Sequence, residues 1–183
     1  MKVLKWVLIV IVALVLLGLG GFQFMKYQTK KASPEETVVY ESDEITLEVN
    51  YNRPYKKDRE IFGGLVPYGK VWRTGANEPT TFLCSKDITV GVSEEKLKAG
   101  KYTLWTIPNE TQWTLIFNSK MYDWGVDWDG KPSRDPLFDE LRINVPALPT
   151  KEPVEQFTIE FIYNVNMVMK WDDTKATMPI LTY

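Results

Sequence analysis

The chain has 183 residues, 44% of them apolar and 25% charged, with a formal net charge of −2 and no histidine. The missing histidine excludes histidine acid–base catalysis, the Ser-His-Asp triad and every histidine metal site. The near-neutral charge provides no global field to recruit nucleic acid, and the single cysteine, Cys84, excludes an internal disulfide or a cysteine cluster.

The chain opens with Lys2 and Lys5 ahead of an apolar run, Trp6 to Phe24, interrupted only by Gln23. As a helix at ~1.5 Å per residue this run spans ~28 Å, close to the thickness of a bilayer core. Trp6 and Tyr27 are placed to sit at the two interfaces. The competing reading is a cleaved signal peptide, with Gly18, Gly20 and Gly21 near the cut. The run is long for that and lacks an Ala-x-Ala end. Lysines flank both sides, so charge alone does not orient the segment. A large folded domain after such a segment is usually translocated, which places the C-terminal part outside the cytoplasm. Gln28 to Glu36, polar and carrying Pro34, reads as a juxtamembrane linker.

Beyond it the pattern becomes β. Thr37–Glu41 predicts a first short strand. Ile45, Leu47, Val49 and Tyr51 then alternate with Thr46, Glu48 and Asn50, giving one apolar and one polar face. Thr80–Ser85 and Asp87–Val90 follow, while Ser93–Gly100 reads as a turn. Lys101–Ile107 and Trp113–Phe117 flank P-N-E-T-Q and predict a hairpin. Leu141–Val145, Phe157–Tyr163, Met167–Trp171 and Thr177–Leu181 complete a set of about nine or ten short strands, the spacing of a sandwich or barrel.

Chemistry concentrates in V-P-Y-G-K-V-W-R-T-G-A-N-E, Val66 to Glu78. Val66-Pro67-Tyr68-Gly69 fits a β-turn. Gly75-Ala76-Asn77-Glu78-Pro79 is a second turn. If the segment between them is extended, Lys70, Trp72 and Thr74 face one way and Val71 and Arg73 the other. Lys70, Trp72, Arg73, Asn77 and Glu78 are the candidate ligand-binding set, suited to a sugar or a carboxylate. The alternative is a structural loop in which Arg73 pairs with Glu78 or with carbonyls. Charge is also segregated, with a basic excess between Asn52 and Arg73 and an acidic excess between Tyr122 and Glu140.

Several stretches resemble the bacterial exported family catalogued as domain of unknown function 2911. They are I-F-G-G-L-V-P-Y-G-K-V-W-R-T-G-A-N-E (Ile61–Glu78), L-K-A-G-K-Y-T-L-W-T-I-P (Leu97–Pro108), W-T-L-I-F-N (Trp113–Asn118), Trp124-Gly125 and Y-N-R-P (Tyr51–Pro54). The resemblance runs from about Ile45 to Leu181. It implies a β-rich exported domain with no established activity, usually behind a plain secretion signal. The longer apolar segment here departs from that.

Other features carry less. D-W-D-G (Asp127–Gly130) would need Gly125 and Pro136 at the first and last ligand positions of an EF-hand loop, and neither can serve. Cys84 reads as a buried thiol with no histidine to activate it. Trp105 and Trp113 read as core in preference to an exposed sugar platform.

The expectation is therefore an all-β antiparallel sandwich of about nine strands preceded by one N-terminal transmembrane helix. Residues 1–26 form the anchor or uncleaved signal, 27–44 a juxtamembrane linker and 45–183 the β-sandwich domain. The expected role is a non-catalytic structural or binding module of the cell envelope, single-pass in the membrane. The candidate partners are the membrane, through the helix, and an envelope glycan or protein. No cofactor, metal or nucleic acid is expected. The alternative function is a carbohydrate-active hydrolase pairing Glu78 with Asp123, Asp127 or Asp129.

Overall fold

The computed structural model describes residues 2–163 and 165–181. The chain divides into two compact units, one ending at Ala32 and the other starting at Ser33. The first is a single helix, α1 (Lys2–Ala32). Leucine, valine, isoleucine and alanine, without proline, let it propagate. Lys30 and Lys31 in its last turn suit the negative end of the helix dipole. Its large apolar side chains from Val3 to Tyr27 are all exposed. By length and composition α1 is able to cross a membrane. It extends through Gln28–Ala32, and the stretch read as linker also contains the first strand.

The second unit is a nine-stranded antiparallel sheet among the described residues. Its strands are β1 (Glu35–Glu41), β2 (Thr46–Asn52), β3 (Thr80–Cys84), β4 (Ile88–Val90), β5 (Glu95–Leu97), β6 (Gly100–Pro108), β7 (Gln112–Asn118), β8 (Asp139–Ile162) and β9 (Asn166–Leu181). Their order is β1-β2-β3-β6-β7-β8-β9-β4-β5. The strand count agrees with the sequence reading, but the boundaries differ. Strands expected separately at Leu141–Val145 and Phe157–Tyr163 are one strand, β8. Those at Met167–Trp171 and Thr177–Leu181 are one strand, β9. The turn expected at Ser93–Gly100 contains β5. Pro146, Pro149 and Pro153 make β8 read as broken. Pro146 keeps register opposite Gln112, while the strand accommodates Pro149 and Pro153 by shifting register between Pro149 and Val154, with a second shift between Val154 and Thr158. Bulges of this kind bend a strand and relieve proline of its missing donor.

The bend lets β8 serve two neighbours. Its first part pairs with β7 and its second with β9. The second part also meets β2, four places away in the sheet order. The Tyr51 hydroxyl donates to Ile159 O (3.3 Å) and accepts from Ile159 N (2.9 Å). The Tyr51 ring stands edge-on to Phe157 at 5.7 Å. Chain following β2 continues the contact: Phe157 N donates to Pro54 O at 3.0 Å, and Lys56 N to Glu155 O at 2.7 Å. The sheet thus folds back so that the alternating apolar residues of β2, Leu47, Val49 and Tyr51, are fully buried. Cys84 is buried as expected, its Sγ 3.3 Å from Lys98 O, and burial pushes its thiol pKa up.

Burial pushes the Tyr51 hydroxyl up to about 12, opposed by its hydrogen bond with Ile159 and by the charge of Arg53. A folded pKa above the unfolded value of about 10 contributes stability below pH 10, which is lost as pH rises from about 10 to about 12. Tyr51→Phe should flatten this alkaline loss in a pH series of urea unfolding. At neutral pH it should cost about 1–3 kcal/mol, because the Ile159 N–H loses its acceptor.

Candidate functional site

The loop between β2 and β3 enters the core through rings. Ile61, Phe62, Val66 and Trp72 are buried, while Lys70 is exposed on the turn between them. That turn closes where Gly69, at φ +70, donates its N–H to Pro108 O (2.9 Å). Trp72 then bridges to β6 in both directions, its N to Thr106 O at 2.7 Å and Thr106 N to Trp72 O at 2.9 Å. Its indole N–H donates to Gly75 O at 2.9 Å. Its ring stacks on Trp171 at 6.0 Å and 17°, meets Phe157 at 5.0 Å, and stands edge-on to Phe62 and Trp113, each at 6.2 Å.

The alternation expected through this segment holds at Trp72 and Thr74, both buried, against Val71 and Arg73, both half-buried. Thr74 (φ +55), Gly75 (φ +151) and Asn77 (φ +57) then turn the chain sharply. Gly75 is needed for close approach as well, since a Cβ there would lie 2.8 Å from Asn52 O. The Asn77 amide donates to Asn52 Oδ1 (3.4 Å), and Asn52 Nδ2 donates to Glu78 Oε2 (3.1 Å). The structure therefore gathers Arg73, Asn77 and Glu78 in one loop with Asn52, keeps Lys70 on the exposed turn, and turns Trp72 away into the core.

Arg73 does not pair with Glu78. Its Nε is buried without a hydrogen-bond partner. Its pKa is lowered by burial, with no carboxylate acting on it. Its stem is clamped by Gly125, on which a Cβ would lie 2.2 Å from Arg73 Cδ and 2.9 Å from Asn77 O. The Gly125 N–H donates to that same Asn77 carbonyl at 2.9 Å. The basic and acidic loops thus meet through a glycine backbone.

Gly125 is held by a layer over the outer face of β6 and β7. Trp105 and Ile116, paired across the hairpin, are fully buried on that face. Trp113 lies in the main core, so the two tryptophans are buried on opposite faces. The fully buried Asn118 ties the layer down. Its Nδ2 donates to Asp135 O (2.8 Å) and Asp139 Oδ1 (2.9 Å), and its Oδ1 accepts from Lys120 N (3.1 Å) and the Tyr122 hydroxyl (3.0 Å). Tyr122 packs edge-on against Trp105 at 5.6 Å. Burial pushes the Asp139 carboxyl up, but hydrogen bonds from Arg134, Asn118 and Arg142 prevail and hold it below its usual range. Asp127 Oδ1 accepts from Asp129 N and Lys131 N, each at 2.9 Å, so D-W-D-G is a turn closed on itself. Among the described residues no cluster of three acidic or cysteine side chains is arranged to hold a metal. Asn52, Asn118 and Gly125 were not among the candidates from sequence; their signals were the Y-N-R-P stretch, the asparagine closing W-T-L-I-F-N and Trp124-Gly125.

The family model described as a protein of unknown function (DUF2911) matches residues 33–180. The chain belongs to the DUF2911 family. No curated protein and no solved structure matches it. The DUF2911 match covers the sheet from β1 to the penultimate residue of β9. The stretches that carried the resemblance now have physical roles in this DUF2911 chain. Trp72 is a core ring, Gly75 and Gly125 permit backbone approach, and Asn118 anchors the outer layer.

Gly125→Ala in this DUF2911 domain should force Arg73 off its position. The expected loss is about 1–3 kcal/mol of unfolding free energy, the range for overpacking a filled site. Circular-dichroism melts should show part of the loss recovered in Gly125→Ala/Arg73→Ala, because the shorter side chain vacates the contact.

Proposed function

We propose that the chain is a membrane-anchored module of the cell envelope, with α1 spanning the bilayer and the folded-over sheet forming a β-sandwich outside the cytoplasm. The observation that carries this reading is the unbroken exposure of apolar side chains along α1 from Val3 to Tyr27. In water that surface would aggregate, whereas a bilayer core accepts it. Lys26, Lys30 and Lys31 follow the apolar run and suit an interface.

The module is read as a non-catalytic binding domain whose ligand face centres on Arg73, with Asn77 and Glu78 beside it and Lys70 on the neighbouring turn. Trp72 supports this face from behind by fixing the loop in the core. An envelope glycan or protein is the partner class this placement suits. The hydrolase reading draws nothing from Glu78, whose Oε2 is engaged by Asn52.

Expressed in a bacterial host, the full chain should stay with membranes through alkaline carbonate washing. Its β domain should be digested by protease added outside the cytoplasmic membrane, while a cytoplasmic marker survives. A soluble product of reduced mass, starting after Gly21, would instead show cleavage of the segment. Protection of the domain would reverse the orientation.

A further inference from the structure

Trp105 and Ile116, buried outside the main core, are covered by the outer layer over the β6–β7 hairpin. Val168 on β9 is also buried outside that core, but its setting differs. It lines a half-open cavity of about 280 Å³ on β8 and β9, with Val154 and Ile162 as the other apolar walls. Thr150, Lys151 and Glu152 line the same cavity. Consecutive residues of a regular strand face opposite sides of a sheet, so three in a row would not share one cavity. The bulge in β8 removes that limit. Between the pairs Pro149↔Thr174 and Val154↔Asp172, β8 advances five residues (149 to 154) while β9 advances two (174 to 172). Thr150 Oγ1 donates to Asp172 O at 3.2 Å and pins this arch to β9. Bulges re-aim side chains in this way, at the cost of ladder hydrogen bonds, and are over-represented beside functional sites.

The charges around the cavity divide into used and unused. Lys170 pairs with Glu160 at 2.8 Å. Lys151, Glu152 and Lys175 have no ion-pair partner among the described residues. Two ammonium groups and one carboxylate are therefore left over around an apolar floor. A simple anion would sit beside the like charge of Glu152. A purely apolar ligand would leave all three charges unmet. A small zwitterion with an apolar body answers each wall, through charge-assisted hydrogen bonds at one side and apolar contact at the other. The cavity is at the low edge of the ~300–1,000 Å³ usual for small-molecule sites, which suits a compact ligand.

We propose that this cavity binds a free α-amino acid with an apolar side chain. The ligand carboxylate meets the ammonium groups of Lys151 and Lys175, its ammonium meets Glu152, and its side chain lies on Val154, Ile162 and Val168. A peptide carries its two charges at opposite ends, whereas a free amino acid carries both on one carbon, as so small a cavity requires. Recognition involves no covalent step. None of the lining residues belongs to the loop around Arg73, so the inference is independent of the ligand face read there.

The test is thermal unfolding of the full chain in detergent, followed by tryptophan fluorescence. The probes are L-leucine, isocaproate (leucine without its ammonium), isoamylamine (leucine without its carboxylate) and glycine (no apolar side chain), at equal concentration and matched ionic strength. At about ten times its Kd, leucine should raise the midpoint by roughly 4 °C over glycine. Isocaproate and isoamylamine should each give less than half of that shift. Glu152→Gln should reduce the leucine shift to the size of the isocaproate shift. Lys175→Met keeps an apolar stem, removes an ammonium and should cut the shifts from leucine and isocaproate alike. Glu152 is exposed, so Glu152→Gln still reports if Lys175→Met does not fold. Equal midpoints in leucine and glycine would overturn the site. A shift from either singly charged probe as large as leucine's would overturn the assigned class. A leucine shift unchanged by Glu152→Gln would overturn the location. The measurement needs no membrane, so failure of the anchoring proposal leaves its outcome readable, and success of that proposal would not rescue it.

Discussion

The placement of Trp72 in the core governs the rest of the β unit. Its ring contacts Phe62, Trp113, Phe157 and Trp171, which come from the β2–β3 loop and from β7, β8 and β9. Truncating a ring so placed costs about 3–5 kcal/mol, a large share of the stability of one domain. The same residue bridges β6 through its backbone and caps its own turn through its indole N–H. One side chain therefore joins strands distant in sheet order and sets the orientation of the loop that follows. With Trp72 facing inward, its neighbour Arg73 is turned toward the outer layer.

That layer is organised by a different principle. Asn118 uses its amide nitrogen and its carbonyl oxygen to hold three points of the segment between β7 and β8 and the first residue of β8. A buried side chain satisfied in this way specifies one arrangement, because any displacement would strand several polar groups at once. Tyr122 and Asp139 extend the same network to Trp105 and to the arginines. Gly125 is thereby delivered to the stem of Arg73. The Arg73 loop lies at the seam between an aromatic core on one side and a polar network on the other.

The strands were legible where periodicity alone determined them. Leu47, Val49 and Tyr51 alternate cleanly, and the β6–β7 hairpin is bounded by evident turn residues. β8 was not legible as one strand, since its prolines mark a break locally, and only pairing with β7 and β9 shows that Pro146 stays in register and that Pro149 and Pro153 sit at a bulge. The opposite facing of Trp72 and Arg73 followed from a two-residue period. What that period cannot reveal is the partner list. Asn52 meets Glu78 across 26 positions, and Asn118 meets Asp139 across 21. An asparagine in sequence carries no mark of whether it will be buried and fully bonded or left in water. The glycine at 125 stood out only through the Trp124-Gly125 resemblance, because its physical reason lies in Arg73, far back in the chain.

The segregation of charge between the two loops invites the idea that they attract each other, and the geometry shows otherwise. Arg53 and Lys56 of the basic loop pair with Glu36 and Asp172 on strands. Asp135 and Asp139 of the acidic segment pair with Lys120, Arg134 and Arg142 beside them. These pairs form within each segment's own neighbourhood, and the loops touch through Gly125, Asn77 and an aliphatic stem. The fold consequently does not depend on ionic attraction across the seam. Removing charge there should leave the sheet intact, which is the condition under which a site can carry function separately from stability. Arg73 stands on the rigid side of that contact, its aliphatic stem held against the Gly125 backbone.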